Sequence, residues 1–265
     1  MDYEINKVEN QIKQGLNEIA KKSKDYVNYY LGIKLKETNL SKKSITQNWW
    51  HAFEFACGKI FYQGRRDNVS GAIKKQILHD LESLLGTDYE EKTTKLDDLK
   101  HKGMLEFQLF KRQPKETLKQ LHQRLLDDNH IILKHLVRNK KGRDRDRLMI
   151  INFLTLITEI HDKNIIRYLK EKIKNGKIKD AYHTLRKVIS IGDKIACFLL
   201  RDIILLYDLE DYISDDDKVF IMPMDTWLRK ISYAFLTKYL KENGISFAQF
   251  NAGAWYISTN KKEPS

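Results

Sequence analysis

Ile178-Lys-Asp-Ala-Tyr-His-Thr-Leu-Arg-Lys-Val-Ile-Ser-Ile-Gly-Asp-Lys-Ile-Ala-Cys-Phe-Leu-Leu-Arg-Asp-Ile203 is the stretch that decides the fold, and Met222-Pro-Met-Asp-Thr-Trp-Leu-Arg229 follows it. Ile178, Ala181, Tyr182, Leu185, Val188 and Ile189 share one helical face, and Ile195, Ala196, Phe198, Leu199 and Ile203 form a second after the turn Ser190-Ile191-Gly192. Two amphipathic helices joined this tightly must pack on each other. Gly192 is expected to supply the backbone freedom of the turn, and Asp193 to cap the second helix by accepting an amide hydrogen bond. Amides at such a turn point outward and can hold a phosphate without reading bases.

The rest of the chain carries the same helical signature. With only 3 prolines in 265 residues and apolar positions recurring every three or four residues, the pattern predicts an all-α protein with almost no strand. Helices are expected over Tyr3–Leu31, Ser44–Gln63, Ser70–Leu85, Lys115–Leu126, Arg145–Ile160, Ile165–Lys174, Ile178–Ile189, Asp193–Tyr207, Asp225–Glu242 and Phe247–Ile257. The expected organisation is an N-terminal helical region over 1–140, a helix-hairpin-helix region over 141–245, and a C-terminal helix and tail over 246–265. Arg138–Arg147 reads as an exposed polar connection and Asp215-Asp216-Asp217 as a surface loop; the latter lacks the ligand spacing of a calcium loop, and no metal site is expected.

Lys plus Arg number 48 against 36 Asp plus Glu, a formal charge of +12, which favours a polyanionic partner such as nucleic acid. Cys57 and Cys197 are the only cysteines, so one chain cannot build a four-cysteine zinc or iron–sulfur site. Charged residues run through the first thirty positions and no apolar run reaches the ~18 residues of a membrane span, so no secretory signal or membrane segment is expected and a cytoplasmic protein is.

Two side chains beyond the turn carry chemistry. Lys194 falls in the first turn of the second helix, where the helix dipole and an expected partial burial both favour the neutral, nucleophilic amine. Asp225 opens a later helix behind Pro223; a carboxylate held by helix amides stays ionised and can stabilise a developing cation.

Gly192-Asp193-Lys194-Ile195-Ala196 followed by Pro223-Met224-Asp225 resembles the helix-hairpin-helix DNA glycosylase superfamily, whose signature is a hairpin, an optional catalytic lysine and a downstream Pro-x-Asp. The resemblance covers about sixty residues. It implies an all-helical fold of two subdomains with an active-site cleft between them, acting as a monomer on double-stranded DNA whose damaged base is flipped into a pocket. By motif, Lys194 matches the lysine that attacks the sugar C1′ and forms a Schiff base leading to β-elimination. Asp225 matches the aspartate that stabilises the sugar cation, and Ser190, Ile191 and Gly192 match the phosphate-binding hairpin, often accompanied by a monovalent cation. The missing iron–sulfur cysteines and the lysine point to the 8-oxoguanine glycosylase/lyase branch. The sequence departs from the family where Ser190 replaces the first glycine of Gly-x-Gly.

In that branch a C-terminal helix brings glutamine and an aromatic residue to the base, which directs attention to Gln249, Phe250, Asn251 and Trp255. Gln63, Arg65 and Arg66, at a glycine-marked helix end, are candidates for phosphate or extruded-base contacts. Trp49, Trp50 and Phe53 read as core aromatics, and His51 as a satisfied polar residue. Two other readings stand beside it: a non-catalytic helix-hairpin-helix DNA-binding protein in which Lys194 only adds charge, and a helical scaffold whose basic surface meets an acidic protein.

Overall fold

The computed structural model describes residues 14–61, 67–138, 143–222 and 239–260, and among these residues the chain is all-helical. The chain divides into two compact units. Unit 1 holds Met1–Lys42, Lys170–Tyr182 and Cys197–Ser265, and unit 2 holds Lys43–Leu169 and His183–Ala196.

Unit 2 is organised around one helix. Its elements are α3 (Lys42–Gln47, less its first residue), α4 (Trp49–Ile60), α5 (Asp67–Leu85), α6 (Tyr89–His101), α7 (Leu118–Asp127), α8 (Ile131–Arg138) and α9 (Asp144–Thr158). Every residue of α9 from Asp146 to Thr158 is buried, the mark of a helix enclosed on all sides. Phe153 of α9 stacks on Phe53 of α4 at 5.9 Å, and α6, α7 and α8 pack around α9. The polar groups this encloses are satisfied locally where a hydroxyl can reach back along the helix: Thr155 Oγ1 donates to Ile151 O at 3.0 Å and Thr158 Oγ1 to Thr155 O at 2.8 Å.

In unit 1, residues 14–21 and α1 (Ser23–Asn28) continue through a π-helical turn at Tyr29–Ile33 into α2 (Lys34–Glu37). The C-terminal helix α13 (Phe247–Asn260) packs on this segment. Gly253 permits that approach, because a Cβ there would overlap the Ile19 carbonyl. Helices α10 (Ile165–Lys174), α11 (Ile178–Arg186) and α12 (Asp193–Tyr207) contribute residues to both units.

The structure corrects several expected boundaries. Ser44–Gln63 is not one helix: Asn48 is extended (φ −120°) and its Oδ1 accepts from Trp50 N and His51 N at 2.8 and 3.1 Å, capping a new helix. Lys115 has φ +66°, so the predicted helix there starts later, behind a Thr117–Gln120 capping box. Helices α6 and α8 were not expected. In α6 few positions are buried, among them Leu96 and Leu99, but the Asp88 carboxylate accepts from Glu91 N and starts the helix. The polar connection Arg138–Arg147 was expected to be exposed throughout, yet Asp146 is 0% and Arg147 7% exposed. The buried Asp146 carboxylate accepts from Arg143 N at 3.0 Å at the start of α9.

Candidate functional site

Helices α11 and α12 are joined by residues 187–192, a longer connection than the three-residue turn expected, because α11 ends at Arg186 rather than Ile189. The last turn of α11 closes through Val188 N to Leu185 O at 3.1 Å, Ile191 N returns to Val188 O at 3.1 Å, and Ala196 N reaches Gly192 O at 3.0 Å to begin α12. Val188 and Ile191 are each 2% exposed, so the apolar side chains at these two positions face inward. The left-handed residue is Ser190, at φ +69°, while Gly192 is not in that region. The freedom assigned to Gly192 is therefore taken at Ser190, where a side chain in this conformation costs about 1–2 kcal/mol.

Two side chains hold the strained turn. Asn152, 1% exposed on α9, accepts from Ile189 N through Oδ1 at 2.8 Å. Arg186, at the end of α11, donates from Nη1 to Ile191 O at 2.6 Å and pairs through Nε with Asp193 Oδ1 at 3.0 Å. Asp193, expected to cap the helix by accepting an amide hydrogen bond, stands in its first turn and pairs across the turn with Arg186. Lys194, the second residue of α12, is exposed, so the partial burial expected to favour its neutral form is absent. The surface at the turn thus presents the first turn of a fifteen-residue helix with a lysine on it.

The turn also bears on the monovalent cation that the family resemblance implies. The carbonyls of Val188 and Gly192 accept backbone amides, and that of Ile191 accepts a guanidinium. With these three carbonyls already accepting, one of them from a guanidinium that fills the space beside it, the residues do not fit a bound cation.

Asp225, Gln63, Arg65 and Arg66 lie outside the described residues. The C-terminal candidates separate into two groups, both within unit 1. Gln249 is exposed and lines a cavity of about 850 Å³ with Lys24, Asn28, Glu210 and Lys241. Two residues further along a helix lies a different face, and there Asn251 Oδ1 accepts from Arg201 Nη1 at 2.9 Å. Trp255, one turn beyond Asn251, packs against Tyr26, Tyr30 and Phe198 with ring centroids at 5.6, 5.2 and 5.9 Å. Phe250 is half-buried.

Arg201 and Asp202 were missed from sequence. They are 1% and 0% exposed, yet Arg201 donates to Asp202 Oδ1 from Nε and Nη2 at 3.1 and 2.9 Å, and Tyr26 OH donates to Asp202 at 2.8 Å. Burial alone disfavours the charged guanidinium, but Tyr26 and Asp202 outweigh it and hold its pKa above the ordinary value. The signal was an adjacent Arg-Asp pair in the middle of an otherwise apolar helix. His51, read as satisfied, has a buried Nδ1 with no hydrogen-bond partner, beside a small polar cavity of about 230 Å³ shared with Glu54, Glu82 and Lys92. Lys92, 3% exposed, donates to Thr87 O at 2.5 Å and lies 5.0 Å over the Trp50 ring.

Both thiols are buried, and among the described residues there is no disulfide, no cluster of three or more His, Cys, Asp or Glu able to hold a metal, and no helix long and apolar enough to cross a membrane. No family model matches the chain, and no solved structure does. Over 68 residues, 26% of this chain, it is 37% identical to an uncharacterized protein of Methanocaldococcus jannaschii, and the match spans 16% of that protein.

Proposed function

We propose that the chain is a bifunctional DNA glycosylase and abasic-site lyase that removes an oxidised purine, 8-oxoguanine being the substrate the resemblance favours. The observation that carries this reading is the hairpin: a strained, side-chain-braced turn that opens a long helix, with Lys194 exposed in its first turn. A short turn that opens a long helix suits a DNA phosphate at the helix N-terminus, and the +12 charge supports a polyanionic partner.

In this reading two helical subdomains flank a cleft. The DNA covers Lys194, removing the water that solvates the exposed amine in the free protein. As the ammonium passes a proton to the departing base, the Lys194 Nζ lone pair attacks C1′, the C1′–N bond breaks with its electron pair leaving on the base, and Asp225 stabilises the cationic sugar. Opening of the sugar ring gives a Schiff base, and loss of a proton from C2′ expels the 3′ phosphate by β-elimination. Asn251 and Trp255, gathered with Phe198, are the proposed base-recognition side chains.

A second reading is favoured by one observation, the exposure of Lys194, which is also what a plain surface cation shows: a hairpin that binds DNA without chemistry. Borohydride trapping separates the two. On a duplex carrying 8-oxoguanine or an abasic site, wild type is expected to form a covalent adduct and Lys194→Gln to form none. A wild-type protein that binds the duplex but is never trapped would leave only the binding module.

A further inference from the structure

We infer that Arg186 is the resident cation of the phosphate-gripping turn, so that DNA binding by this chain does not require a bound potassium or sodium ion. The inference rests on the proposed reading of the hairpin as a phosphate site and adds to it a positioning residue on a different element.

The geometry carries it. A turn that receives a phosphate at the start of its helix must hold its carbonyls still on the other side, and a cation bonded to one of them does so. Here that position belongs to Arg186. Its Nη1 lies 2.6 Å from Ile191 O, shorter than an ordinary neutral hydrogen bond, as expected of a charged donor. Its Nε lies 3.0 Å from Asp193 Oδ1, which fixes the guanidinium plane across the turn, and the donor fork can hold both partners at once. The position of the guanidinium is fixed by the chain on three sides: Arg186 ends α11, Ile191 lies in the turn and Asp193 starts α12. Gly192 leaves it room, since even a Cβ there would stand 3.8 Å from Nη1. A neighbouring lysine could not take this role, because one ammonium offers no planar pair of donors to a carbonyl and a carboxylate on either side of the turn.

This arrangement separates two properties that would otherwise go together. Overall salt should weaken binding through counterion release, whatever the salt. The identity of the monovalent cation, at fixed ionic strength, should not matter. With Arg186 removed, the Ile191 oxygen becomes available and the turn should come to depend on a small cation in solution.

The test is the affinity of the full chain for a duplex with a central abasic-site analogue, measured by fluorescence anisotropy at one ionic strength in potassium, sodium or tetramethylammonium chloride. Wild type is expected to bind equally, within about twofold, in all three. Arg186→Met is expected to bind roughly tenfold more weakly in tetramethylammonium, with part of that loss recovered in potassium. Thermal melting of Arg186→Met establishes that it is folded. Wild-type affinity that drops more than threefold in tetramethylammonium would overturn the inference without any variant. An Arg186→Met affinity that is weak and indifferent to the cation would overturn it too, reducing Arg186 to a brace. If Arg186→Met and Ser190→Pro both bind like wild type, the hairpin is not the phosphate site, and it is the proposed reading that has failed.

Discussion

Two arginine–aspartate pairs on or beside the same helix show how differently one chemistry can be used. In unit 1, Arg201 and Asp202 are sealed, at 1% and 0% side-chain exposure, with Tyr26 and Asn251 completing the hydrogen bonds. In unit 2, Arg186 and Asp193 stand at 40% and 48% exposure across the hairpin. A buried pair is costly to desolvate and catastrophic to break, so it specifies which helices meet; an exposed pair adds little stability and is left available to a ligand. The difference teaches where to look for function: at the pair that contributes less to stability.

The largest expected effect tests the buried pair. Asp202→Ala leaves a guanidinium enclosed with its main partner gone and is expected to destabilise the protein by about 3–5 kcal/mol in urea unfolding. Asp193→Ala, the matching change at the hairpin, is expected to cost about 1 kcal/mol or less. Equal losses would erase the contrast between the two regions.

Acid separates the regions next. All 8 histidines fall in unit 2. Burial lowers the pKa of His51, with Lys92 adding to it, and lowers those of His122, where Asp144 opposes, and His130. In the unfolded chain these imidazoles take up a proton near pH 6.5, and in the fold only below that. The unfolded state therefore binds more protons in that window, and stability falls as pH drops through it. Glu54, raised by burial, acts in the opposite sense, its contribution being present at low pH and lost as pH rises through its folded pKa. With three imidazoles against one carboxylate, lowering pH from about 7.5 to 5.5 is expected to reduce Tm by a few degrees. Amides of α9 should lose hydrogen-exchange protection before those of Arg201–Leu206. Protection lost first around Arg201 would reverse the assignment.

What the sequence showed and hid follows the same division. The hairpin was legible because its apolar periodicity, short turn and charged residues all lie within thirty positions. The Arg201 network was not, because its partners Tyr26 and Asn251 are 175 and 50 residues away and no local pattern joins them. Helix α6 was hidden for another reason: one of its buried positions is Lys92, a charge in sequence whose ammonium finds a carbonyl and an aromatic face only in the fold. Among the candidate base-contacting residues, helical periodicity alone separates Gln249 from Asn251 and Trp255, but only the structure says which of the two faces meets the aromatic cluster.

The smallest expected effect is at Ser190, where the sequence signalled a departure and the structure gives its cost. At φ +69° a serine is strained by about 1–2 kcal/mol, whereas glycine adopts that backbone freely. Glycine also gives the unfolded chain more freedom, which offsets roughly half of the gain. Ser190→Gly is therefore expected to stabilise the protein by about 0.5–1 kcal/mol, seen as a rise in the urea midpoint with unchanged slope. Because Arg186 and Asn152 hold the turn from either side, its shape should not change, and affinity for the abasic duplex should stay within about twofold of wild type. A stabilised variant that binds DNA several-fold more weakly would mean that the serine hydroxyl, rather than the backbone it strains, is what the ligand meets.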